Sequence, residues 1–167
     1  YLEMAMAASA AVHGKPWTLC NATLVEPLLL NKSPKTVQTV LSADGPAAAA
    51  FRIVGVTQPD ADVEPVFTTL ALGRLEAPRA APTATVDLAA HRSRMTGDPR
   101  DEQWQIEALR KSGVEPGPTF LWTQRHWINN NEAISELRPA SETDDADAYQ
   151  IHPGLLDSGF QLLASLL

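Results

Sequence analysis

At 167 residues with a formal charge of -7, the chain is long enough for one sizeable core or two small layers, and too acidic for the basic footprint that a nucleic-acid backbone requires. A composition of 44% hydrophobic and 20% charged residues is that of a globular protein, and 13 prolines with 9 glycines predict many turns and an extended linker. The single cysteine, Cys20, excludes an internal disulfide and fits a reducing, cytoplasmic setting, and no segment reaches the about 20 apolar residues of a membrane span.

Residues 1–11 are rich in strong helix formers and predict a helix that ends near His13-Gly14 and Pro16, with Leu2 and Met6 toward the core and Glu3 away from it. No initiator methionine or capping residue precedes this helix, and residues 162–167 end the chain in an apolar run, so the chain reads as a piece of a longer polypeptide. Residues 19–30 are strand-like, with a proline at 27. Residues 36–41 alternate as a half-buried strand, and Asp44-Gly45 is a hairpin signal before strands at 50–56 and 67–75. One helix followed by successive antiparallel strands is an α+β signature.

From 76 to 102 the composition shifts to Ala, Pro, Thr, Arg and Asp, which predicts a linker with a short turn of helix near 88–91. A short helix over 104–113 follows, with Gly113 at its C-terminal cap. Beyond the turn Pro116-Gly117-Pro118 come extended aromatic segments at 119–122 and 127–128, an Asn-rich turn at 129–131 and a strand at 132–137. The pattern suggests two α+β units, 1–75 and 103–167, joined by a linker at 76–102. Trp104, Phe120, Trp122 and Trp127 are core aromatics or walls of an apolar substrate channel. His126, in an alternating segment, is expected at a surface or strand edge. His13 and His91 lack neighbours at metal-ligand spacing, and no zinc set, phosphate loop or nucleophile elbow is visible.

After a solvated acidic loop at 142–147, a strand-like Tyr149-Gln150-Ile151 leads into a helix beginning at Pro153, a residue suited to a first helical turn. Asp157 and Gln161 lie four apart and share a face, roughly extended by Gly154 and Ser165. Leu155, Leu156, Phe160, Leu162, Leu163, Leu166 and Leu167 cover much of the rest, so the helix is expected to be mostly enclosed. A carboxylate there is paired, protonated or open to a ligand cavity. Read chemically, an apolar setting raises a carboxyl pKa and lets it protonate a departing hydroxyl. Read structurally, Asp157 caps, pairs with a base or faces water. His152 either caps the helix or touches substrate.

Three segments carry a family resemblance: Tyr1-Leu2-Glu3-Met4-Ala5-Met6-Ala7-Ala8, Gly113-Val114-Glu115-Pro116-Gly117-Pro118-Thr119-Phe120 and His152-Pro153-Gly154-Leu155-Leu156-Asp157-Ser158-Gly159-Phe160-Gln161. In order and spacing they resemble the dehydratase domain of modular polyketide synthases, over nearly the whole chain. The resemblance implies a double hotdog, two long helices each wrapped by an antiparallel sheet, with the second unit incomplete here. It implies dehydration of a β-hydroxyacyl thioester held on the phosphopantetheine of an acyl carrier protein, with no metal or redox cofactor. Asp157 matches the family's general acid, and Gln161 the side chain that orients the acid or the hydroxyl. Gly117, Pro118, Phe120, His152 and Leu156 would contact substrate, and backbone N–H groups at the amino end of a hotdog helix would hold the thioester carbonyl. The partner histidine belongs to a motif ahead of Tyr1 and has no counterpart in this sequence.

Implied partners are the carrier protein, neighbouring synthase domains and a second copy of the parent synthase. Two departures stand out. Pro116 replaces a common tyrosine, and Phe67-Thr68-Thr69-Leu70-Ala71-Leu72-Gly73 keeps the alanine and glycine of a Trp-x-x-His-Ala-x-Gly segment while losing its tryptophan and histidine. A same-fold cyclase forming an ether ring, a double-bond isomerase and a non-catalytic acyl-binding hotdog stay open as alternatives.

Overall fold

In a computed structural model, the structure describes residues 1–31, 33–58, 62–79, 85–129, 132–140, 143 and 145–164. Two compact units are present, Tyr1–Ala81 and Pro82–Leu167.

In the first unit, helix α1 (Leu2–His13) packs on a four-stranded antiparallel sheet of order β1-β4-β3-β2, made of Thr18–Leu24, Val66–Glu76, Ala48–Thr57 and Thr36–Ala43. Gly14 ends the helix in a left-handed conformation, φ 74°, that costs a glycine little. The helix face that meets the sheet is centred on Ala5 and Ser9 rather than on Leu2 and Met6, which are only half-buried. Small side chains let the helix approach closely. The Ser9 hydroxyl is fully committed there, since it donates to the Met6 carbonyl and accepts from the Trp17 backbone N–H at 3.0 Å.

The sheet follows its sequence pattern. The β2–β3 hairpin turns through Asp44 and Gly45, whose φ of 86° is again glycine-favoured, and alternation places Phe51 and Ile53 in the core with Ala49, Leu70, Ala71, Leu75, Ala5 and Trp17. Phe51 pairs across the sheet with Gly73, and a Cβ at Gly73 would fall 2.5 Å from the Phe51 ring. Glycine therefore opens the space in which this aromatic side chain lies. The segment 19–30 is shorter as a strand than its sequence suggests. β1 ends at Leu24, Pro27 offers no N–H to continue a ladder, and Leu29 and Leu30 are exposed.

In the second unit a three-stranded antiparallel sheet runs β5-β6-β7, Arg100–Asp101, Thr123–Asn129 and Glu132–Leu137. Two short helices precede its central strand, α2 (Leu88–Arg94) and α3 (Glu102–Lys111), capped by Asp87 and Asp101, which accept from the Ala90 and Trp104 backbone N–H groups. Gly113, at φ 80°, stands just beyond the Ser112 cap of α3. The expected extended segment at 119–122 is instead a 3-10 turn, Pro118–Phe120, followed by buried Trp122. Proline pre-sets the turn, and Trp122 Nε1 closes it by donating to the Thr119 carbonyl at 2.9 Å. Residues 149–151 form bends rather than a strand. A second 3-10 turn, Ala146–Ala148, lies in the acidic loop.

Helix α4 (Pro153–Ala164) starts at its proline as expected and packs on β7 and on the Pro118–Phe120 turn. It is not mostly enclosed: Phe160 is 49% and Leu163 60% exposed, because its packing partners cover one side only. Ser165, Leu166, Leu167 and the centre of the Asn-rich turn lie outside the described residues. Among the described residues no helix is long and apolar enough to cross a membrane.

Candidate active site

The site is built on α4. The His152 imidazole Nδ1 accepts from the Gly154 N–H at 3.0 Å, and the His152 carbonyl accepts from Leu156 N–H at 3.1 Å, so this residue caps the helix. Its ring is buried, stacked on Trp122 with centroids 4.9 Å apart, and met edge-on by Tyr149. Two donors of the first turn are thereby taken, and Pro153 has none to give. A Cβ at Gly154 would lie 2.4 Å from the Thr119 carbonyl oxygen and 2.6 Å from Trp122 Nε1. Glycine at this point lets the amino end of α4 sit directly on the Pro118–Phe120 turn, with no room for a side chain.

One turn further, Asp157 is half-buried and its Oδ2 accepts from Gln161 Nε2 at 2.6 Å. Helical spacing produces this contact, since residues four apart lie one above the other. Oδ1 has no hydrogen-bond partner among the described residues. Gln161 in turn accepts, through Oε1, from Nε2 of Gln105 on α3. Gln105 is 6% exposed and the buried residue of α3. It was not among the sequence candidates. The available signal was its spacing from Ala108, Leu109 and Ser112, which puts all four on one helical face.

That face lines a small, partly open cavity of about 130 Å³ together with Trp104, His126 and Gln161. His126 lies on the central strand β6 and is 2% exposed, not at a surface or a strand edge as expected. Two-residue β5 covers one side of β6, too short to announce itself by periodicity. Burial pushes the His126 pKa down, with Arg100 adding to the effect and Asp101 opposing it, and Nε2 has no partner among the described residues.

The remaining expected contacts are distributed. Leu156 is half-buried beside Asp157, while Gly117, Pro118 and Phe120 are exposed in and before the turn on which α4 rests. Trp122 and Trp127 are buried, and Trp104 is half-buried. His13 stacks on Trp17 at 3.8 Å, and His91 lies 3.6 Å from Glu132. Among the described residues no three His, Cys, Asp or Glu side chains converge as metal ligands.

Two α+β units, each with a helix and an antiparallel sheet, give the chain a hotdog-type fold. The chain matches the dehydratase domain from the CurK module of curacin polyketide synthase over 100% of its length and 58% of that chain, with a TM-score of 0.84 and 24% identity. CurK dehydratase has also been solved with a histidine changed to phenylalanine and with an aspartate changed to asparagine, each described as an inactive mutant. Residues 67–167, more than half of the chain, match the polyketide synthase dehydratase N-terminal domain, and the chain belongs to that family. Polyketide synthase ThaG of Burkholderia thailandensis is 28% identical over 99% of the chain, and PksM of Bacillus subtilis 22% over 96%. The chain spans only 3% and 4% of these two relatives.

Proposed function

We propose that the chain is part of a dehydratase that converts a β-hydroxyacyl thioester, carried on the phosphopantetheine of an acyl carrier protein, to the α,β-unsaturated thioester. The observation that carries this reading is the Asp157 carboxyl, held through Oδ2 by Gln161 while Oδ1 has no partner among the described residues. A carboxyl held this way is oriented without being neutralised by a cation. Protonated on Oδ1, it hands a proton to the β-hydroxyl as the Cβ–O bond breaks, and water departs. A histidine takes the α-proton, and the C–H electron pair becomes the new double bond. Acid and base are both side chains, so the elimination calls on no metal or redox cofactor.

The four histidines of this chain are engaged elsewhere: His152 caps α4, His126 is inside a sheet, His13 stacks on Trp17 and His91 adjoins Glu132. The family resemblance, rather than any residue of this sequence, assigns the base to the histidine of the family's own motif. The dependence of CurK dehydratase on one histidine and one aspartate supports an acid and a base of these types. Leu156, Phe120, Gly117, Pro118 and the ring of His152 form the surroundings proposed for the acyl and pantetheine chain. The carrier protein, the neighbouring synthase domains and a second copy of the synthase are its partners in a cytoplasmic assembly.

The test uses the full-length protein with a β-hydroxyacyl carrier-protein substrate, followed by acyl mass. Loss of one water is expected, and Asp157→Asn should slow it by about 100-fold or more, the scale of a general acid's contribution, without unfolding the protein. Full elimination by that variant would overturn the assignment. An α,β-unsaturated carrier-protein substrate that is rearranged at unchanged mass would point instead to the isomerase or, where it carries a further hydroxyl, to the cyclase.

A further inference from the structure

We infer that Gln105 is a positioning residue for Asp157, acting through Gln161 to select which carboxyl oxygen carries the transferable proton. The inference rests on the reading of Asp157 as the acid and adds a residue that the family motifs quoted above do not contain.

A glutamine side chain has an acceptor end and a donor end. With Gln105 Nε2 donating to Gln161 Oε1, the donor end of Gln161 is turned toward Asp157, where it meets Oδ2 at 2.6 Å. Oδ2 thus serves as an acceptor, and the proton is left to Oδ1. Without Gln105 the Gln161 amide can rotate and offer its oxygen, and the distinction between the two carboxyl oxygens is lost. Gln105 is itself held. Asp101 caps its helix through Trp104 N–H at 3.0 Å, and the Trp104 ring meets the Arg100 guanidinium, 4.1 Å from its centroid, and the edge-on His126 ring at 4.9 Å. The relay joins residues 56 positions apart in sequence, so it forms only when α3 and α4 have docked.

Two substitutions of similar size separate positioning from packing. Gln105→Met removes the donor, and Gln105→Glu replaces it with an acceptor at neutral pH. In the full-length protein each should lower kcat by about 10- to 100-fold, the scale of a misplaced catalytic group, with KM within about twofold because neither touches substrate. A role in packing alone would lower thermal stability in Gln105→Met while leaving kcat of the folded enzyme intact in both variants, and that result would overturn the inference. If one variant does not fold, the other decides by the same split.

A crystal structure of the Gln105→Met protein gives a readout independent of turnover. Gln161 should leave its 2.6 Å contact with Asp157 Oδ2, and an unchanged contact would overturn the relay. If the unsubstituted enzyme eliminates no water, the proposed function fails, and this structural comparison alone decides whether Gln105 sets the Gln161 amide.

Discussion

A neutral imidazole in the middle of a sheet makes stability depend on pH in a known direction. His126 is held below its ordinary value of 6.5 in the fold, whereas the unfolded chain takes up a proton there as pH falls. The unfolded state then binds more protons than the native one, so the contribution of His126 is fully present above about pH 6.5 and declines as pH falls from there toward its folded pKa. Urea unfolding at pH 7.5 and 5.5 should show a lower midpoint at the acid value. His126→Phe, which keeps an aromatic ring against Trp104 and removes the unpartnered Nε2, should flatten that difference; an undiminished difference in the variant would locate the effect elsewhere.

Between elements, the docking of α4 on the Pro118–Phe120 turn is the contact that places Asp157. Gly154→Ala introduces a Cβ against backbone and indole atoms that cannot step aside, and should cost about 1–3 kcal/mol in urea unfolding, the range for overpacked sites. A change below a few tenths would show that α4 shifts freely on the turn. At this scale the sequence was informative where a local rule acts. Pro153 marked the start of α4, the spacing of Asp157 and Gln161 put them in contact, and alternation with Asp44-Gly45 gave the β2–β3 hairpin. It was silent where partners meet only after docking. Two residues of β5 carry no period, Ala5 and Ser9 have no apolar prominence, and nothing near Gln105 announces Gln161. His126 misled for the same reason, since the two-residue strand that pairs with it at Arg100 makes β6 central rather than an edge.

Across the molecule, the carboxylates that guanidinium groups hold ionised are unevenly placed among the described residues. Glu115, Glu132 and Glu136 are held below the usual carboxylate range by hydrogen bonds from Arg110, Arg94 and Arg125, and all three belong to the second unit. A depressed carboxylate contributes stability above its unfolded pKa that is lost as pH falls through the folded one. His126, in the same unit, adds its loss at higher pH. Acid should therefore weaken the second unit before the first, and simultaneous loss of both at every pH tested would count against this account.

The tryptophans allow those transitions to be told apart optically. Trp17, packed beneath α1 and stacked on His13, is the one indole of the first unit, while Trp104, Trp122 and Trp127 all lie in the second. Trp17→Phe would leave an emission spectrum that belongs wholly to the second unit, and its difference from the unsubstituted spectrum is the signal of the first. Two fluorescence channels, fixed by where four indoles fall in the chain, thus report whether this polypeptide melts in one step or two.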